Sequence, residues 1–323
     1  MGYDKIREQR FEKQKELGLW PSNMTLPTRL PGAQQWNGLD LKTQAIDSRI
    51  LAAHAAMIEN MDHNVGKVVS LLKSLGMYDN TLIIFTSDNG GSEPFPASNL
   101  AIPGITLEQS NTFAAKFNNS VSNIGNANSL VNYADWGAIA SVSPFSYFKA
   151  TMGEGGTRVP FVIKEPLGSS NQEHPNIINA FVHVTDITPT LLNYAGIQPS
   201  GTIYKGHSVH PITGKSIKPI LDGKLSKIYA DNEPVSQEMF NNIAVFMGSW
   251  KAEKLFGPHL SDGKWHLYNI KTDIGETTDV ASNHPEIFHK MLSDYAKFAK
   301  DVGVIVPSGV GTAALQKFAM ASD

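Results

Sequence analysis

Thr81-Leu82-Ile83-Ile84-Phe85-Thr86-Ser87-Asp88-Asn89-Gly90-Gly91 changes character halfway along. Its first half is apolar and β-branched, the composition of a strand buried on both faces of a parallel sheet. Its second half is polar and ends in two glycines, the composition of a loop at that strand's carboxyl end. In open α/β sheets, ligands bind outside that end. The Asp88 carboxylate and the Asn89 amide oxygen are hard donors suited to calcium or magnesium. The glycines predict a backbone that turns away and leaves both side chains aimed at one point. The same residue types also build an ordinary turn, so a turn and a cation site both stay open on this stretch alone.

Upstream, apolar residues recur at helical spacing through Ile46, Ile50, Met57, Ile58, Met61, Val65, Val68, Leu72 and Leu75. The spacing predicts a helix over 43–76 with Gly76 as its stop. Tyr78-Asp79-Asn80 is the turn that joins it to the strand. Helix, turn, strand and polar loop in that order is α/β logic. Before the helix, residues 4–18 carry mixed charge at helical spacing, and Trp20 to Asp40 is rich in Pro, Gly and Asn, as a surface loop is.

Downstream, 92–148 is rich in Asn, Ser, Ala and Gly with few clear periods. It predicts a long insertion with short helices, and long insertions are often functional. Arg158 to Lys164 predicts a strand, and Asp186 to Gly196 a helix with Pro189 near its start. Gly206 to Gly223 reads as loop plus a short helix. Ile243–Met247, Trp250–Leu255 and Trp265–Asn269 read as short antiparallel strands, followed by an amphipathic helix over 284–300. A boundary near 225 is therefore expected, with an α/β body over 1–225 and a small α+β subdomain over 226–323.

The 323 residues suffice for one large or two smaller domains with a hydrophobic core. With 41% apolar and 18% charged residues the chain is globular in composition, and a formal net charge of −3 gives no footprint for nucleic acid. There is no cysteine, which removes disulfides, zinc thiolates and a cysteine nucleophile. No apolar run approaches the roughly 20 residues that span a bilayer. The charged start, Met1-Gly2-Tyr3-Asp4-Lys5, is not a signal peptide.

A second stretch carries chemistry: Lys149-Ala150-Thr151-Met152-Gly153-Glu154-Gly155-Gly156-Thr157-Arg158-Val159-Pro160. Lys149 precedes a Gly-rich turn that feeds a strand, where an ammonium can hold an anionic oxygen. The plainer reading is a solvated lysine beside a loop.

Together the two stretches resemble the type I sulfatases. The resemblance continues in order through Met61-Asp62-His63-Asn64-Val65-Gly66, Val182-His183-Val184-Thr185-Asp186-Ile187-Thr188-Pro189-Thr190, Gly248-Ser249-Trp250-Lys251 and Trp265-His266-Leu267-Tyr268. Asn123-Ile124-Gly125-Asn126-Ala127-Asn128-Ser129 is similar to the bacterial arylsulfatase branch. Ser-Asp-Asn-Gly alone is a weak signal, but the ordered set across nearly the whole chain is a specific one.

The resemblance implies part of an alkaline-phosphatase-like α/β/α sandwich with a small C-terminal domain built on an antiparallel sheet. It implies hydrolysis of sulfate esters, arylsulfatase-type, by a formylglycine nucleophile with a divalent cation, usually calcium. Carried over by position, Asp88 and Asn89 fall on metal ligands and Lys149 on a sulfate contact, while His183 and Asp186 fall on mainly structural positions. The implied partner is a small sulfate ester or a sulfated glycan. Compartment stays open between periplasm or secretion and cytoplasm.

The rest of the family's site has no counterpart here. Formylglycine arises from Cys or Ser in a Cys/Ser-x-Pro-x-Arg motif, which this sequence lacks. Thr25-Leu26-Pro27-Thr28-Arg29 has the frame but begins with Thr and sits in the Pro-rich loop. No Asp-Asp pair occurs. His207-Ser208-Val209-His210 offers a histidine pair without a third zinc ligand, between Gly206 and Pro211. The chain is therefore expected to be the C-terminal part of a longer sulfatase, inactive alone, with exposed apolar surface and an uncovered sheet edge. Two alternatives remain: a non-catalytic sulfatase remnant or binding module, and a phosphate-ester hydrolase of the same superfamily.

Overall fold

The computed structural model describes residues 1–28, 34–92, 107–133, 135–168, 177–256 and 262–305. It is an α/β chain whose backbone groups into two compact units. The first comprises Met1–Leu71, Phe85–Val162 and Pro234–Asp323; the second comprises Leu72–Ile84 and Ile163–Glu233. The position near 225 lies within the second unit.

In the first unit, helix α1 (Tyr3–Glu16) buries Tyr3, Arg7 and Phe11, a spacing of four that keeps them on one face. Its carboxyl end stops at Gly18, which takes the left-handed backbone (φ 76°) that favours glycine. Helix α2 (Leu41–Ser74) begins and ends two residues before the predicted span. Only Ile50 and Leu51 on it are buried. Met57, Ile58, Met61, Val65, Val68 and Leu71 all face solvent, Met57 at 70% exposure. The apolar stripe that predicts the helix thus remains uncovered over its second half.

The predicted strand is Ile83–Thr86 (β1), paired in a two-stranded sheet with Phe161–Lys164 (β2). The expectation of burial on both faces is not met. Ile83 and Ile84 are half-buried and Phe85 and Thr86 are exposed, because no layer packs over them among the described residues. Two short helices, Leu107–Ala114 (α3) and Asp135–Ser141 (α4), fall in the expected insertion, part of which lies outside the described residues. Helix α4 packs on α1, fixed by Arg10 Nη1 to the Ala140 carbonyl at 2.8 Å and Gln14 Nε2 to the Ser143 carbonyl at 2.9 Å. Glu154–Thr157 forms a single helical turn (α5) before β2.

In the second unit, Ile187–Tyr194 (α6) follows a 3-10 turn over Val184–Asp186, and Lys218–Leu221 forms α7. Ile203–Tyr204 (β3) and His207–Ser208 (β4) make a small exposed hairpin. His207 therefore points from a surface ladder rather than into a metal cage. Among the described residues no group of three His, Cys, Asp or Glu side chains is placed to hold a metal.

The C-terminal part of the first unit is an antiparallel sheet in the order β5 (Val235–Met239), β6 (Asn242–Met247), β7 (Trp250–Lys254), β8 (Trp265–Asn269). Helix α8 (Pro285–Val302) covers one face of it. Val245, Met247, Ala252, Leu267 and Met291 form the core there, with Ile287, Phe288, Leu292 and Tyr295 packed against them. Strand alternation sends Lys251 and Glu253 to the opposite face, where Lys251 stands between Phe246 and Tyr268 in register. Among the described residues no helix is long and apolar enough to cross a membrane.

Candidate functional site

The loop after β1 is tied internally before it is tied to anything else. Ser87 Oγ donates to the Asn89 carbonyl at 2.9 Å, and Asn89 Nδ2 donates to the Gly90 carbonyl at 2.7 Å. The Asn89 amide thereby spends a donor on the backbone, and its oxygen accepts no hydrogen bond among the described residues. The Asp88 carboxylate is exposed and has no hydrogen-bond or ion-pair partner among the described residues.

The glycines of this loop serve close approach rather than a positive φ. A Cβ on Gly90 would lie 1.6 Å from the Gly155 carbonyl oxygen, and one on Gly91 would lie 2.6 Å from the Ala138 carbonyl oxygen. Close approach is thus a second reason for glycine here, beside the turn that the sequence predicts. Only a residue without Cβ lets the two backbones touch. The contact is made by hydrogen bonds: Gly90 N–H donates to the Gly156 carbonyl at 3.0 Å, and Lys149 N–H donates to the Gly91 carbonyl at 2.8 Å. The Tyr133 hydroxyl accepts from the Ser92 amide at 3.0 Å and closes the loop's exit.

The structure therefore brings the two chemistry-bearing stretches together. Lys149 is half-buried, and its ammonium has no ion-pair or hydrogen-bond partner among the described residues. Tyr147 and Ala150 on either side of it adopt left-handed backbone, at φ 66° and 69°. Such residues cost about 1–3 kcal/mol each and persist only where surrounding contacts hold them. Here Thr151 Oγ1 donates to the Phe148 carbonyl at 2.7 Å, and Asn242 Nδ2 donates to the Ala150 carbonyl at 3.1 Å. Gly155 and Gly156 are again sites of close approach, with a Cβ on either meeting a carbonyl oxygen at 2.4 Å.

The donor set at the loop suits a hard cation. A carboxylate and a neutral amide oxygen, both free, are what calcium or magnesium takes. They would supply two of the roughly six to eight oxygens that calcium uses, so these residues fit only part of such a site.

Arg158, at the end of the Gly-rich stretch, sits against aromatic rings: its guanidinium lies 5.3 Å from the Trp20 ring and 5.1 Å from the Phe145 ring. Glu154, Lys251, Glu253 and Glu276 meet in a fully buried group beneath the same turn. In the sequence, Glu154 and Lys251 stand out only as parts of motifs, and Glu253 and Glu276 not at all. Lys251 and Glu253 flank Ala252 on β7, and that alternation was the available signal for those two.

His183 and Asp186 take the structural roles expected of them, in the second unit. Asp186 is fully buried and accepts from His183 N at 2.7 Å, Lys215 N at 2.7 Å and the Tyr229 hydroxyl at 2.6 Å. Burial, then the hydrogen bond and charge of Asp186, pushes the Tyr229 hydroxyl well up. The Thr25 to Arg29 near-motif lies partly outside the described residues. Within it, the Pro27 carbonyl accepts from Arg7 at 2.7 Å.

Comparison with known proteins gives a consistent result. The family model described as Sulfatase matches residues 7–197. An uncharacterized sulfatase of Schizosaccharomyces pombe is 32% identical over 310 residues, covering 94% of this chain and 53% of that protein. An arylsulfatase of Klebsiella aerogenes is 33% identical over 224 residues, covering 69% of this chain and 46% of that protein. The chain thus spans about half the length of the curated relatives it matches. Among solved structures, one from work on the metabolism of multiple glycosaminoglycans by Bacteroides thetaiotaomicron is similar at TM-score 0.48 and 22% identity, covering 74% of this chain and 43% of that one.

Proposed function

The chain belongs to the sulfatase family, and from that premise we propose that it carries part of the active site of a sulfuric ester hydrolase. Asp88 and Asn89 contribute oxygens to a divalent cation site, calcium by preference. The cation, when bound, draws charge from the sulfate oxygens. Lys149 places its ammonium on the sulfate and stabilises negative charge that develops toward the leaving oxygen. The substrate is a sulfate ester, either a small molecule or a sulfated glycan. The observation that carries this reading is the 2.8 Å bond from Lys149 N to the Gly91 carbonyl, which sets the lysine beside the Asp88–Asn89 loop.

The sequence contains no Cys/Ser-x-Pro-x-Arg from which a formylglycine forms. On this reading the chain by itself does not complete the hydrolysis. Purified chain is assayed with nitrophenyl sulfate and calcium, beside a Lys149→Ala control. The expected result is no hydrolysis above the control. Turnover that disappears in Lys149→Ala would overturn the incomplete-site reading.

A further inference from the structure

Four charged side chains beneath the Lys149 turn are withdrawn from water together. Lys251 and Glu276 have 0% side-chain exposure, Glu253 2% and Glu154 3%. Lys251 Nζ lies 2.5 Å from Glu276 Oε1, 3.2 Å from Glu154 Oε1 and 3.4 Å from Glu253 Oε2. Glu276 Oε2 accepts the Glu154 amide at 2.8 Å. Arg158 Nη1 reaches Glu154 Oε2 at 3.4 Å from a side chain that is 42% exposed. Glu253 Oε2 faces the Lys251 ammonium at 3.4 Å but makes no aligned hydrogen bond among the described residues. The Tyr147 and Tyr268 side chains face the same charges.

Buried ion pairs are poor sources of stability. Apolar side chains of the same volume often serve as well or better. What this group does instead is join distant segments. Glu154 belongs to the Gly-rich turn, Lys251 and Glu253 to β7, and Glu276 to the segment after β8. Two further bonds run in parallel: a buried one from Ser146 Oγ to the Gly275 carbonyl at 2.6 Å, and a partly buried one from Asn242 Nδ2 to the Ala150 carbonyl at 3.1 Å. All of them clamp the stretch that holds Tyr147 and Ala150 in left-handed backbone around Lys149.

We infer that Lys251 and Glu276 are positioning residues: through Glu154 they fix the turn that presents Lys149, and so set where the sulfate contact sits. The last clause rests on the sulfatase reading of Lys149; the fixing of the turn does not.

The charges explain how the clamp responds to pH. Two cations, Lys251 and the partly exposed Arg158, face three carboxylates, an excess of negative charge that favours the protonated form of a buried carboxyl. Burial first, then the charge of Glu253, raises Glu276 well above the ordinary carboxylate range. Burial likewise raises Glu253, against the pull of Lys251. Burial opposes the charge on Lys251, but Glu276, Glu154 and Glu253 outweigh it and raise its pKa. A carboxyl whose folded pKa is raised stabilises fully below the ordinary value of 4.5 and loses that contribution as pH rises through the folded value. The clamp therefore loosens toward alkaline pH.

Amide hydrogen exchange by NMR on the full chain tests this, read as protection factors so that base catalysis cancels. The reporters are the Lys149 amide on Gly91 and the Glu154 amide on Glu276, with Val245 and Ala252 of the sheet as internal reference. Protection at both reporters is expected to fall about tenfold or more as pH rises from below 4.5 into the alkaline range while the reference stays level, the scale of one pKa unit. Glu253→Gln, a neutral isostere, is expected to keep the protection and flatten its pH dependence. Lys251→Met is expected to lose protection at every pH, and Lys251→Met with Glu276→Gln to regain part of it. Protection at Lys149 and Glu154 that does not change with pH, or that keeps its pH dependence in Glu253→Gln, overturns the inference. If the exchange results hold while Lys149→Ala leaves binding of inorganic sulfate unchanged, the clamp stands and the sulfate reading falls.

Discussion

The Lys149 amide donates to the Gly91 carbonyl at 2.8 Å, and this one bond joins a lysine to a loop that the sequence places far from it. With the bond from Gly90 to Gly156, it makes the Asp88–Asn89 loop and the Gly-rich turn a single backbone unit. The proposed chemistry depends on that unit more than on any one side chain.

The glycines of the unit are its most sensitive positions. Gly90→Ala would place a Cβ 1.6 Å from the Gly155 carbonyl oxygen, with only backbone to give way. It is expected to cost about 3 kcal/mol or more, at the upper end for overpacking. Gly66, in the middle of α2, has nothing within 4 Å of a built Cβ. Gly66→Ala is expected to stabilise by about 0.5–1 kcal/mol. Urea unfolding of the two variants checks both signs.

Asp88→Ala and Lys149→Ala should leave the fold intact. Both side chains lack partners among the described residues, and partnerless surface changes stay within about 0.5 kcal/mol. Equal unfolding midpoints with altered ligand binding is the expected outcome. A large stability loss in either would assign it a structural role.

Asp186 behaves oppositely. It is fully buried and accepts three hydrogen bonds. Asp186→Ala strands the His183 and Lys215 amides and the Tyr229 hydroxyl. Bonds to a charged acceptor contribute about 1.5–3 kcal/mol each, so a loss of about 3 kcal/mol or more is expected, measured by urea unfolding.

His266 should make stability depend on pH. Its Nε2 lies 2.8 Å from Asp262 and its Nδ1 2.9 Å from Asp279. Burial opposes the imidazolium, but the hydrogen bonds to Asp262 and Asp279 outweigh it and raise the pKa above 6.5. The His266 bond is the main cause holding Asp262 down at about 2. The histidine's contribution is complete below 6.5 and lost as pH rises through its folded value; that of Asp262 is complete above 3.8 and lost as pH falls toward 2. His266→Gln is expected to flatten the stability profile above about pH 6. An unchanged slope in that variant would place the titration elsewhere.

Much of the fold was legible because its signals are local. Helical spacing locates α2, α6 and α8, and alternation locates β6, β7 and β8 within one or two residues. Strand β5 was missed, because Val235-Ser236-Gln237-Glu238-Met239 pairs through its backbone and carries too little apolar pattern. Phe85 was expected inside and lies 37% exposed, because composition speaks for a strand's affinity for burial and not for the presence of a covering layer. The residues of the candidate site were legible as motifs. Their contact was not, since glycine as a point of close approach is a tertiary property. The burial of Lys251, Glu253 and Glu276 was not legible, because charged residues belong by default on the surface.

The central claim is that Asp88, Asn89 and Lys149 share one cation-assisted site. Calcium titration of the full chain followed by backbone NMR tests it most directly. Two protein donors predict weak binding, on the order of millimolar or weaker. The predicted result is shifts centred on 87–91 and carried to the Lys149 amide through its bond to Gly91, all absent in Asp88→Ala. Shifts that avoid 87–91, or that persist unchanged in Asp88→Ala, would contradict the account.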